Sequence, residues 1–327
     1  MNPFSGSPHR NGRCLSLPVA VVFVPMVLLG LAGLTPPRAR GGSAATVCSL
    51  DALLALPVEQ LAQVDIARMN LLCAEGLPGA ESVDLAKHLS TLDAWTAQVK
   101  SETERHRYRF KQNPAEFEHS EGFFRMLMLA VVLTEDFGMH YNHDGRTTPA
   151  QASAHDGFFT NAADVFLTGL LGPIRQGTCS SLPVLYVAVG RRLGYPLKLV
   201  TTKGHLFVRW EDAKERFNVD ATGEGVNRFD DAYYRQWPFK VTEEDAKAEG
   251  YLKSLTPAEE LAAFLSIRGM CLRENGRRPE AAESFEAASR LVLGCRSYWL
   301  LLAELRDNLS GQRPPMTAPL NRYQPKD

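Results

Sequence analysis

The sequence predicts an α+β protein in which a helix opened by a cysteine packs on a small antiparallel sheet, with helices before and after that core. Three observations predict it. Apolar residues recur at helical spacing over much of residues 46–137 and again over 257–308. Residues 197–201, 206–210 and 216–220 read as short strands, the last two joined by a charged turn at 211–215. Gln176-Gly177-Thr178-Cys179 leads into an apolar helical stretch that Gly194-Tyr195-Pro196 ends.

The first 45 residues stand apart. They hold Arg10, Arg13, Arg38 and Arg40 but no acidic residue, and an apolar run fills 15–34. A basic start, an apolar run and the small residues at 41–45 read as a secretory signal. The run also approaches the roughly 20 residues that cross a bilayer, so a retained membrane anchor is the close competitor. A start at Met26 or Met69 is the plain alternative. Either of the first two readings makes the protein exported or cell-envelope. The whole chain of 327 residues is 45% hydrophobic and 22% charged, ordinary for a globular protein. Its net charge of −1 becomes −5 without the four N-terminal arginines and gives no nucleic-acid footprint.

Residues 46–160 form an N-terminal helical region. One helix is expected over 58–73, stopped by Gly76 and Pro78, and a second over 83–100 with Leu85, Leu89, Leu92 and Trp95 on one face. A buried core helix fills 120–137, and 138–160 is a polar loop. After a helix over 162–171, residues 161–250 hold the core just described. Residues 251–310 read as three helices with turns at Asn275-Gly276 and Gly294. The segment 279–285 has the small-residue and aromatic spacing of tetratricopeptide-type helix pairs, and one such unit must pack on the core. Residues 311–327 read as a disordered tail.

Cys179 is the chemical focus. Amides at a helix start lack intrahelical partners and the local dipole is positive, which favours a thiolate and can hold an oxyanion. Pro183 cannot donate to the Cys179 carbonyl, so an irregular first turn is expected, with Ser180 and Ser181 as local caps. His205 heads one strand and Asp220 ends the next. Pairing Trp210 with Glu215 puts His205 opposite Asp220; a neighbouring register makes them diagonal and still within reach. The carboxylate can then fix the imidazole's tautomer and orientation. Taken singly, each of these residues has a plain structural reading: a small buried Cys, an edge His, an Asp in a turn. Their joint placement carries the catalytic reading. Cys48 and Cys73 could pair. Cys271 and Cys295 flank a predicted helix of about 14 residues, roughly 20 Å apart, too far for a disulfide, which needs about 7 Å.

Residues 177–179, 191–196, 204–210 and 218–220 together resemble the transglutaminase-like superfamily, and residues 55–290 resemble its bacterial SirB-type branch with tetratricopeptide-like C-terminal helices. The resemblance implies a papain-like core and a triad of Cys179, His205 and Asp220. The tryptophan that eukaryotic transglutaminases carry beside the cysteine is Ser180 here, and Gln176 stands near, but not at, the spacing of the papain-type oxyanion glutamine.

Two other groupings compete. His140, His143, Asp144, His155 and Asp156 could hold zinc, but their loop setting reads better as a polar surface. Glu243-Glu244-Asp245 reads as the first turn of a helix capped by Thr242. Phe158-Phe159 and Tyr233-Tyr234 belong to a cleft or to core. The expectation is thus cysteine-dependent acyl transfer or hydrolysis of an amide bond in a protein or peptide, of protease, deamidase or transglutaminase type. No cofactor and no metal is called for. The alternative is an inactive module of the same fold that holds a protein partner through its C-terminal helices. Membrane anchorage would act through residues 15–34.

Overall fold

The computed structural model describes residues 47–142, 157–223 and 226–310. The apolar run at 15–34, His143, Asp144, His155, Asp156 and the 311–327 tail lie outside them. Among the described residues, no helix is long and apolar enough to cross a membrane.

Local chemistry sets the first elements. Ser49 caps helix α1 (Leu50–Leu54). The single helix expected over 58–73 is instead a 3-10 turn, Val58–Gln63, followed by α2 (Ile66–Ala74). Asp65 causes the break: its carboxylate accepts the Ala67 and Arg68 amides at 2.8 and 3.1 Å and starts a new helix. Asp84 caps α3, which runs from Leu85 to Gln112, well past the expected end at 100. Ser120 caps α4 (Glu121–Val131), and the rest of that apolar segment is a π-helical turn, Val132–Asp136.

The segment read as a loop contains a short strand. β1 (His140–Tyr141) pairs in parallel with β2 (Gln176–Gly177), Tyr141 opposite Gly177. The helix expected over 162–171 divides into α5 (Ala162–Val165) and α6 (Leu167–Leu170). Helix α7 (Leu182–Arg192) is buried at every position from Leu182 to Gly190, as a helix apolar on all sides must be. It packs against α2, α3 and α4 and against two strands of the sheet.

That sheet has the order β3 (Leu197–Thr202), β4 (His205–Glu211) and β5 (Arg216–Val219), all antiparallel. Gly204, at φ +76°, closes the β3–β4 turn in a conformation that residues with a side chain rarely adopt. Asp212 shapes the β4–β5 turn by accepting the Lys214 and Glu215 amides at 2.7 and 2.9 Å. The pairing is Glu211 with Arg216 and Val208 with Val219. It differs by two residues from the register that set Trp210 opposite Glu215. Asp220 therefore continues opposite Phe207, diagonal to His205. A shift of two keeps every side chain on its face.

Beyond the sheet lie α8 (Asp231–Tyr234) and α9 (Glu243–Glu249), the latter capped by Thr242 as expected. Three helices follow: α10 (Pro257–Glu274), α11 (Arg278–Leu291) and α12 (Arg296–Ser310). They pack in sequence, and α10 also lies on α2. A buried ion pair ties them to the core: Arg191 in α7 bridges both oxygens of Glu260 in α10, at 2.5 and 3.0 Å. Glu260 is fully buried. Cys73, Cys271 and Cys295 are free thiols, so the suggested Cys48–Cys73 pairing is not formed, and Cys271 and Cys295 are unpaired, as the sequence reading expected. Burial is the main influence on all three and pushes Cys73 and Cys271 up to about 12 and Cys295 to about 11.

Candidate functional site

Cys179 lies in a tight turn just before α7. The Thr178 carbonyl accepts the Ser181 and Leu182 amides at 3.1 and 3.0 Å, so the hydrogen-bond ladder of the helix already begins at Thr178. Pro183 removes the next rung, as its missing N–H requires. The turn is held from both sides. Ser181 Oγ accepts the Thr178 amide at 3.0 Å and Thr178 Oγ1 accepts the Ser180 amide at 3.3 Å. Both hydroxyls then donate to the Asp164 carbonyl, at 3.0 and 3.1 Å. Gly177 permits this closeness, since a Cβ there would lie 2.5 Å from Ser181 Oγ.

The hairpin brings the other two residues to this turn. His205 Nε2 meets Asp220 Oδ2 at 2.9 Å. Asp220 is a fully engaged carboxylate. Oδ2 also accepts the Tyr234 hydroxyl at 3.1 Å, and Oδ1 accepts the Thr222 amide at 2.9 Å and the Thr222 hydroxyl at 2.5 Å. Trp237 meets the imidazole edge-on at 4.7 Å, and Tyr234 lies near-parallel to it at 6.1 Å. With Nε2 committed to Asp220, Nδ1 is buried with no formed hydrogen bond. Cys179 nevertheless acts on this ring closely enough to raise its proton affinity. Such contacts often tighten only when substrate binds.

The electrostatics follow. Burial is the largest influence on His205 and lowers its proton affinity. The Asp220 hydrogen bond and the Cys179 and Asp220 charges together outweigh it and bring the imidazole to about 9. Burial likewise opposes the charged form of Asp220, but His205 and Thr222 hold the carboxyl below its ordinary value. At neutral pH the pair is an imidazolium bound to a carboxylate. Cys179, His205 and Asp220 are 3%, 2% and 3% exposed. Even so, Cys179 and His205 both line a cavity of about 470 Å³.

The amides expected to be free beside the thiol are not. The Ser180 amide is taken by Thr178, and the Cys179 amide lies within hydrogen-bonding reach of the Tyr141 hydroxyl. Tyr141 is the residue that sequence reasoning missed. Its hydroxyl also reaches the thiol, and burial first, then the Cys179 charge, push its pKa upward. A two-residue strand inside a polar segment leaves no periodicity to detect. Tyr234 was visible as half of an aromatic pair; it is fully buried and completes the Asp220 shell. Phe158 and Phe159 line the cavity, whereas Gln176 is held in β2. His140 Nδ1 lies 2.9 Å from the Gly138 carbonyl. Among the described residues, no cluster of three or more metal-binding side chains occurs.

A cysteine sulfur, an imidazole and a carboxylate around an open cavity suit attack on an acyl carbon. No curated protein and no solved structure matches the chain. A profile of the transglutaminase-like superfamily matches residues 86–262, a span that contains the cysteine turn, α7, the whole sheet and Asp220. The chain belongs to the transglutaminase-like superfamily, whose general chemistry is cysteine-based acyl transfer or hydrolysis.

Proposed function

We propose that the protein is a cysteine-dependent enzyme that cleaves or transfers an amide-linked acyl group of a protein or peptide, with Cys179 as nucleophile, His205 as acid and base, and Asp220 as the group that orients the imidazole. The observation that carries this reading is the His205–Asp220 pair, which leaves the remaining ring nitrogen buried, unengaged and next to Cys179.

With its proton held by His205, the Cys179 sulfur adds to the carbonyl carbon, and the carbonyl electrons move to oxygen. As the C–N bond breaks, the His205 proton passes to the departing amine and a thioester remains. Water or an acceptor amine then attacks the thioester, gives a proton back to the imidazole and releases the sulfur. Hydrolysis is the default outcome because water is always at hand.

The finer placement belongs to the same proposal. The α10–α11 pair around Asn275-Gly276 supports the SirB-type branch with tetratricopeptide-like helices. The division into helical region, catalytic core and C-terminal helices near residues 160 and 250 follows from it. The basic and apolar N-terminus supports an exported or envelope-anchored protein.

A thioester-trapping activity probe, applied to envelope extract containing either the native chain or Cys179→Ala, tests the reading. Labelling is expected with the native chain and not with the variant. Equal labelling of both removes Cys179 from the chemistry. No labelling of either supports the inactive partner-binding module instead.

A further inference from the structure

The cavity beside Cys179 has a wall that the family match does not contain. Cys179, Ser180 and His205 line it. So does one face of α10, through Ala263, Ile267 and Met270, spaced four and three residues apart as one helical stripe. Tyr298 of α12 lines it as well. The matched span stops at residue 262, just before the stripe begins. The C-terminal helices therefore supply a large part of the cavity lining.

Every charged side chain that touches the cavity already has a partner. Glu249 accepts the Ser297 amide at 3.0 Å and pairs with Arg296 at 3.3 Å. Glu274 accepts the Phe159 amide at 3.1 Å, and Arg273 faces Glu304 at 3.7 Å. Among the described residues, each cation at the cavity is thus engaged, Arg273 with Glu304 and His205 with Asp220, and none is left to receive an anionic group of a ligand. What remains facing the space is mainly apolar, and its volume of about 470 Å³ is ample for one large side chain and its backbone.

We infer that this cavity is the acyl-side specificity pocket, and that it selects acyl donors carrying a bulky, uncharged, apolar side chain next to the reacting carbonyl. The inference rests on the proposed role of Cys179. Burying such a side chain against the α10 stripe favours its donor over glycine by roughly 10- to 100-fold. A carboxylate in the same place finds no cation free to receive it.

Three chloromethyl ketones, of N-acetyl-phenylalanine, N-acetyl-glycine and N-acetyl-aspartate, test this on the purified full chain. Peptide mass analysis reads the rate of thioether formation at Cys179. The phenylalanine compound is expected to react roughly 10- to 100-fold faster than the glycine compound, with aspartate no faster than glycine. Met270→Trp and Ala263→Phe, which fill the space, are each expected to bring the phenylalanine-to-glycine ratio close to one. Equal rates in the native chain, or a preference for aspartate, overturn the pocket while leaving the nucleophile intact. A phenylalanine preference that survives in both variants also overturns it, because the α10 wall then plays no part. Labelling of Cys179 by none of the three sinks the nucleophile reading and the pocket together.

Discussion

His205 Nε2 and Asp220 Oδ2 stand 2.9 Å apart although the two residues are diagonal, not opposite, across β4 and β5. Diagonal neighbours share a face but sit about 7–8 Å apart along the strands, and the imidazole spans that gap. The carboxylate is then fixed by Thr222 and Tyr234. Replacing it with an isosteric amide keeps the shape and removes the charge. Asp220→Asn is expected to cut turnover of an amide or ester substrate by roughly 10³- to 10⁴-fold, with the fold retained by circular dichroism. Turnover within a few-fold of the native value would rule out the orienting role.

The pH dependence of stability carries a sign. An unfolded imidazole titrates near 6.5, while His205, set between Asp220, Cys179 and the Tyr234 ring, holds its proton to about 9. The folded state thus binds this proton more tightly. The resulting stability is complete below about pH 6.5 and is lost as pH rises from there through about 9. Asp220 behaves oppositely: its pKa is lowered, so its contribution is present above the ordinary carboxylate range and is lost on acidification. Chemical denaturation between pH 6.5 and 9.5 is expected to show a steeper loss in the native chain than in His205→Gln. Parallel curves would contradict the assigned pair.

Tyr141 is expected to act on the oxyanion. Its hydroxyl lies beside the Cys179 amide and thiol, where the carbonyl oxygen of an attacked acyl group would gather charge. Loss of one such donor costs roughly 10²-fold in turnover. Tyr141→Phe should show that loss in ester hydrolysis, at about 1 kcal/mol in stability. Alkylation of Cys179 by iodoacetamide passes through no oxyanion and should change far less. Equal effects on both reactions would assign Tyr141 a structural role alone.

Arg191 and Glu260 hold the C-terminal helices against α7. Glu260 is fully buried and Arg191 partly exposed, so Arg191→Ala leaves a carboxylate without its cation in the interior. A loss of about 3 kcal/mol is expected by chemical denaturation, at the lower end for a broken buried pair because solvent reaches Arg191. A loss below about 1 kcal/mol would mean that the helices are anchored by apolar packing instead.

The amino-acid sequence by itself determined the elements whose cause is local. Gly194-Tyr195-Pro196 stops α7, Pro183 interrupts its first turn, Thr242 caps α9, and the alternation over β3, β4 and β5 makes a meander. It also singled out Cys179, His205 and Asp220, because each sits at an element boundary where a functional side chain can emerge. Only the tertiary structure decided what depends on distant partners. The β4–β5 register, left open between an opposite and a diagonal placement of His205 and Asp220, is the diagonal one, with Asp212 shaping the turn. Tyr141 reaches the thiol because β1 pairs with β2, a contact between segments about 35 residues apart that no short-range period records. The α10 stripe lines the same cavity as Cys179 because the helix packs on α2. Periodicity states that a helix has an apolar face; which surface that face meets is a property of the packed chain.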